Sequence, residues 1–199
     1  MLKGSQSSLY GNSAVGGTIN IITKKGKLGK HQDIIVRGGQ ENTQDIFYSI
    51  SGADEKTNYY VGLNYYATDG ISAMNNDHEN DPYNTNSLTA NFDYNFSKNN
   101  TIENSFRLKD SYLKYDEVTN GRDDTKNSTD NVEAQYNFKF INTNDRFKNT
   151  FGYSKSASSR MVTEYDNKEK TYEGFKNMLT YLGQYNFNLD NKIIYGSDI

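Results

Sequence analysis

The chain is short of the residues that carry most covalent and metal chemistry. Its 199 residues include no Cys, no Trp, one Pro and only two His. The absence of Cys excludes a disulfide framework and any zinc or redox site built on thiolates. His31 and His78 stand apart from each other in polar surroundings, whereas metal sites need clustered ligands, so we interpret both as surface residues.

A strong charge of either sign and a long apolar run are also lacking. Lys and Arg number 22 against 25 Asp and Glu, a net charge of −3, so no basic field predicts a nucleic-acid partner. No run reaches the ~20 apolar residues that a membrane-spanning helix needs. The mean hydropathy of −0.92 is compatible with a β-barrel, whose strands are apolar only at alternate residues, and equally with a polar β-sandwich.

Motifs of catalysis are missing from the sequence. It contains no Gly-x-Ser-x-Gly elbow and no His-Glu-x-x-His pair. The segment from Gly11 to Gly16 superficially resembles a phosphate-binding loop, but the Gly-Lys-Ser/Thr ending of such a loop is absent. The sequence therefore predicts that the protein is not an enzyme.

What the chain does have is a period-two alternation of apolar and polar residues along most of its length, which predicts an all-β fold. The clearest apolar sets are Leu88, Ala90, Phe92, Tyr94, Phe96 and Val132, Ala134, Tyr136, Phe138, Phe140. From residue 32 onward we expect about nine strands on this pattern.

The predicted connections between strands fall into two classes that alternate along the chain. Short polar turns are expected at residues 54–56, 97–100, 142–145 and 190–191, and longer polar loops at 70–85, 117–128 and 166–171. Outer-membrane barrels have this wiring, with tight turns on the periplasmic side and long loops outside. Tyr and Phe near segment ends fit an interfacial aromatic girdle, although Tyr is also simply a favoured strand residue.

The segment from Ser8 to Lys24 contains the most specific sequence motif of the chain. Read from the residues alone, its glycines predict a turn that feeds a β-branched strand. The same motif resembles the end of the plug domain of TonB-dependent outer-membrane receptors. The residues that carry the resemblance are Leu9, Tyr10, Gly11, Ala14, Gly16, Gly17, Ile19, Asn20, Ile21 and Ile22.

This resemblance implies a domain organisation. Residues 1–25 would be the C-terminal end of a plug domain and 26–31 a linker. Residues 32–199 would be the N-terminal part of a barrel domain, with about nine of its roughly 22 strands. No signal peptide precedes the segment, so a truncated gene, a frameshifted remnant or an incomplete gene model is expected.

The resemblance also implies a function and partners. Receptors of this family lie in the Gram-negative outer membrane, contact its lipid, and take up a scarce ligand such as cobalamin or an iron-siderophore. The TonB complex energises this uptake through an N-terminal region that the sequence lacks. The residues that bind the transported ligand are unknown, and no required cofactor is implied.

A narrower resemblance, to the cobalamin receptors, implies calcium in the loops. Acidic residues of two neighbouring extracellular loops bind calcium there, and the matching residues are Glu79 and Asp81 in one loop with Asp116 and Asp123 or Asp124 in the other. Ser72 departs from the pattern, because the family has an acid at that position. Solvated surface loops are also commonly acidic, so this alternative stays open.

Two further hypotheses compete with transport. The chain could be a piece of a surface-exposed adhesin or autotransporter, although near-identical repeats are not found and the match from Leu9 to Lys24 would be unexplained. It could also be a non-functional gene product, because an open sheet in lipid leaves unpaired edges that cost several kcal/mol per group.

Overall fold

The computed structural model describes residues 2–3, 17–18, 24–72, 79–119, 122–164, 168–188 and 191–199. These residues form one short strand pair and one large sheet, and the prediction of an all-β fold is confirmed. No helix long and apolar enough to cross a membrane occurs among them. Of the plug-like residues, only the backbone of Gly17 falls within the described part, and the other nine lie outside it.

The large sheet contains nine strands, as the alternation predicts, and each strand pairs antiparallel with the next along the chain. A separate pair joins β1 (Leu2–Lys3) to β2 (Gly17–Thr18). The nine strands are β3 (Gly29–Gly38), β4 (Gln44–Ala53), β5 (Thr57–Thr68), β6 (Tyr83–Ser97), β7 (Asn100–Thr119), β8 (Arg122–Thr143), β9 (Phe147–Thr163), β10 (Glu169–Asn186) and β11 (Lys192–Asp198). The sheet is not closed into a barrel, so β3 and β11 are its edges.

The boundaries differ from the sequence prediction at several strand ends. β6 begins at Tyr83 and β10 at Glu169, inside the loops predicted at 70–85 and 166–171. β3 begins at Gly29 rather than residue 32, so its first residues lie in the predicted linker. The loop predicted at 117–128 is wrong: β7 and β8 pair as far as Thr119 and Arg122. The pairing of β7 with β6 ends at Leu113, so beyond this residue the backbone of β7 pairs with β8 alone.

At one end of the sheet the connections are short, and a side chain caps each of them. Asp54 Oδ1 accepts hydrogen bonds from the N–H groups of Lys56 and Thr57 at 2.8 and 2.7 Å. These backbone donors, Thr57 first, hold the pKa of Asp54 below its ordinary value. Asn144 caps the turn after β8 in the same way, with its Oδ1 2.8 Å from the N–H of Phe147. Such Asx turns explain why these polar runs reverse the chain.

One face of the sheet carries a row of mainly apolar residues, and the other face carries a row of mainly polar residues. Directly opposed residues of antiparallel strands share a face, so the register defines rows across the sheet. The apolar row runs from β3 to β10 through Ile34, Tyr48, Leu63, Leu88, Leu108, Ala134, Ala157 and Phe175. The polar row, one residue along and on the opposite face, runs through Asp33, Ser49, Gly62, Thr89, Arg107, Gln135, Ser156 and Lys176.

The face that carries the apolar row is exposed. Leu63, in the middle of β5, is 48% exposed, and Ile34 and Phe175 are 71% and 82% exposed. Apart from the short β1–β2 pair, all strands that the structure describes belong to this one sheet, so no second large sheet covers the face there. Contiguous exposed apolar surface of this kind is unusual for a water-soluble monomer.

Polar amides on the apolar face are satisfied by tyrosines of neighbouring strands. The hydroxyl of Tyr136 donates to Asn104 Oδ1 at 2.9 Å, and that of Tyr153 donates to Asn177 Oδ1 at 3.0 Å. Tyr181 repeats the pattern with Asn149 Oδ1 at 2.9 Å. In each pair the tyrosine hydroxyl satisfies an asparagine oxygen that would otherwise need a hydrogen bond from water.

Residues 24–26, which precede β3, contact the polar face of the sheet. The amide of Asn91 donates to the carbonyl of Lys24 at 2.9 Å, and Asn58 exchanges two hydrogen bonds of 2.8 Å with the backbone of Gly26. Lys25 Nζ lies 2.8 Å from Asp93 Oδ2 and 2.7 Å from Glu103 Oε1. The residues that follow the plug-like segment therefore cross the polar face near the end with short turns.

Replacing Lys25 by Met is expected to destabilise the fold by about 0.5–1 kcal/mol at neutral pH, since Lys25 is half exposed and water screens its ion pairs. Burial lowers the pKa of Lys25, but its hydrogen bonds to Asp93 and Glu103 and their negative charges outweigh it, so the pKa is raised. The stabilisation is therefore complete at neutral pH and is lost as the pH rises through this elevated pKa.

The measurement is urea unfolding of the chain in detergent micelles at pH 7 and above pH ~11, beyond the ordinary Lys pKa. Lys27→Met is the matched control, because Lys27 is exposed and makes no ion pair with the described residues. Equal destabilisation by the two variants at pH 7 would contradict the assignment.

Candidate metal centre

Three carboxylates meet at the end of the sheet that carries the long connection between β5 and β6. One oxygen each from Glu79, Asp81 and Asp116 can be chosen so that all lie within 4.8 Å of one another. All three residues are partly buried. Glu79 and Asp81 belong to the connection between β5 and β6, and Asp116 lies near the end of β7, so the cluster joins segments far apart in the chain.

The backbone explains why these residues meet. The N–H of Lys114 donates to the carbonyl of Pro82 at 3.0 Å, which ties the end of the β5–β6 connection to β7. The pairing of β7 with β8 shifts register between Tyr115 and Glu117, and Asp116 is the residue at this irregularity. A bulge of this kind changes the direction of a side chain relative to the regular ladder.

Glycine brings the two ends of the β5–β6 connection together. Gly70 has a φ of +68°, and a Cβ at this position would lie 2.1 Å from the carbonyl oxygen of Asp81. Only glycine fits this conformation and this close approach without strain. The turn at Gly70 leads to Ser72, whose hydroxyl donates to Asp116 Oδ2 at 3.3 Å.

The arrangement fits a hard divalent cation. Asp116 Oδ1 is buried and accepts no hydrogen bond from the residues that the structure describes. Three like charges at this spacing repel one another, and a cation that binds carboxylate oxygens would offset the repulsion. Calcium takes six to eight oxygen ligands, so further ligands would come from carbonyls, water or neighbouring side chains.

Of the site residues expected from the sequence, the structure brings together Glu79, Asp81 and Asp116. The backbone of Asp123 pairs with Val118 in the projecting hairpin, but its side chain lies outside the described residues. Ser72, where the resemblance implies an acid, lies beside Asp116. Its role as a hydrogen-bond donor to the cluster was not expected from the sequence.

Comparison with known proteins adds no family assignment. No protein-family model matches the chain. No curated protein matches it either.

Proposed function

We propose that this chain is part of a TonB-dependent outer-membrane receptor, with its nine-stranded sheet as the first part of a barrel of about 22 strands. The observation that carries the proposal is the apolar row, which runs unbroken across eight strands while the adjacent row on the other face is polar. Transmembrane barrels need this arrangement, since one face of each strand meets lipid and the other a polar lumen.

The length and wiring of the strands support the same proposal. β7, β8 and β10 are 20, 22 and 18 residues long, well above the usual five or six residues of globular strands. Connections are short at one end of the sheet, and the longest one, between β5 and β6, lies at the other. The β5–β6 connection has the position of an extracellular loop, because outer-membrane barrels carry their long loops at one end.

The contacts of residues 24–26 fit the same assignment. This segment follows the plug-like sequence and lies against Asn58 and Asn91 on the polar face. In a receptor that face would line the lumen, where the plug resides. Under this proposal the edges β3 and β11 pair with further strands of the same barrel, which removes the cost of open edges in lipid.

The proposal extends to the transported ligand and to a bound cation. We propose that extracellular loops capture a scarce ligand such as cobalamin or an iron-siderophore, and that TonB supplies the energy for its uptake. Calcium bound by Glu79, Asp81 and Asp116 would hold the β5–β6 connection against the end of β7. The geometry of the cluster supports this role, because its carboxylates come from both segments.

Fractionation of cells that express the gene tests the proposed location. Mass spectrometry of the outer-membrane fraction is expected to detect peptides of this chain in a heat-modifiable band. Peptides confined to the soluble fractions would contradict the proposal. Peptides from flanking reading frames in the same band would show that neighbouring sequence encodes the remaining strands of the barrel.

A further inference from the structure

The polar face contains a cavity whose lining is strongly cationic. Its volume is about 760 Å³, within the size range of sites that hold small organic ligands. It spans β7 to β10 and is lined by Arg107, Lys109, Arg160 and Lys176. The whole chain is slightly acidic, so this concentration of positive charge is local.

The strand register places these cations around a polar floor. Arg107 and Lys176 stand at the two ends of one row, with Gln135 and Ser156 between them. In the next row Lys109 is followed by Glu133 and Ser158. Neighbouring strands are ~4.8 Å apart, so the first and last strand of this group are separated by roughly 14 Å.

None of the four cations has an ionic partner among the described residues. Their side chains make no ion pair and no hydrogen bond there, even though Glu133 belongs to the same lining. Glu133 instead accepts a long hydrogen bond of 3.5 Å from Asn131. Two carboxylates, Glu133 and Glu173, stand against four cations in the lining and leave an excess of positive charge at the cavity.

We propose that this cavity binds a small soluble molecule that carries two or more anionic oxygen groups, carboxylate or phosphate. The four cations come from β7, β9 and β10 and cannot all converge on one monovalent ion, whereas a molecule with several anionic groups reaches more than one of them. Arg107 and Arg160 would supply planar guanidinium groups that bind such oxygens in a bidentate manner. Ser156 and Ser158 provide further hydrogen-bond donors in the lining.

Gly174 leaves room for the ligand at one side of the cavity. It pairs with Ser158, and a Cβ at this position would lie 3.3 Å from the Ser158 hydroxyl oxygen. A larger side chain at Gly174 would therefore occupy the space above the serine. The site is separate from the carboxylate cluster and does not depend on the proposed receptor function.

The test is isothermal titration of the full chain, folded in non-ionic detergent micelles, with tripolyphosphate and with citrate. The pocket variant is Lys176→Gln and its matched control is Lys155→Gln, since Lys155 is exposed and faces Tyr136 on the opposite face. We expect saturable binding of at least one of the two anions, weakened about tenfold in the pocket variant and unchanged in the control.

A second variant, Gly174→Val, blocks the cavity without a change of charge and is expected to weaken the same binding. Circular dichroism establishes that each variant keeps its β-structure. Tighter binding of tripolyphosphate would identify phosphate as the preferred group, and tighter binding of citrate would identify carboxylate. Absence of saturable binding for both anions, or equal affinities of Lys176→Gln and Lys155→Gln, would overturn the proposal.

Discussion

Replacement of Leu63 by Arg is expected to lower the free energy of unfolding in phospholipid vesicles by about 2–4 kcal/mol, the cost of a cation on the lipid face of a barrel near the bilayer midplane. Leu63 lies in the middle of the apolar row, between Tyr48 and Leu88, and is 48% exposed. If this surface faces lipid, the guanidinium loses its hydration when the sheet inserts. Urea titration followed by circular dichroism gives the free energy.

Asn64→Arg is the matched control for this substitution. Asn64 is the next residue of β5 and belongs to the opposite, polar face, where a cation stays hydrated. We expect its effect to lie within about 0.5 kcal/mol, as for most surface substitutions. A cost below about 0.5 kcal/mol for Leu63→Arg would mean that the apolar row faces water.

Neutralisation of the carboxylate cluster is expected to abolish calcium binding. Substitutions of residues that only support a metal ligand already weaken affinity by about 10–100-fold, and the loss of two direct ligands in Asp81→Asn with Asp116→Asn should exceed this. Affinity is measured by calcium titration and by terbium luminescence. The 17 tyrosines of the chain can sensitise the bound terbium.

Ser72→Asp tests the same site in the opposite direction. Its hydroxyl lies 3.3 Å from Asp116 Oδ2, so an aspartate at this position adds a carboxylate beside the cluster. We expect tighter calcium binding, because affinity rises with the number of charged ligands. Equal calcium affinity in the wild type, the double variant and Ser72→Asp would eliminate the cluster as the metal site.

Much of the fold follows from the alternation of residue types. The apolar sets in β6 and β8 that predict strands belong to the apolar face, and the short turns lie where their polar residues indicate. The end of the β7–β8 hairpin could not be predicted in this way. Residues 117–127 contain a single apolar side chain, Val118, so they show no alternation, although the backbones of 117–119 and 122–124 pair with each other.

The acidic cluster was predicted in part, because its residues stand in two loops that antiparallel strands bring to one end of the sheet. The position of Ser72 depends on the turn at Gly70, which sequence spacing does not reveal. The cationic cavity was not predicted. Its cations come from β7, β9 and β10 and meet only through the register, although each of them occupies a polar position of the alternation.

Quenching of single tryptophans by brominated phospholipid tests most directly whether the apolar row faces lipid. The chain has no Trp, so Leu63→Trp and Phe151→Trp report on the apolar face, and Asn64→Trp and Asn137→Trp on the polar face. We expect strong quenching at positions 63 and 151 and weak quenching at 64 and 137. Equal quenching at all four positions, or none at 63 and 151, would contradict the assignment of the sheet to a membrane barrel.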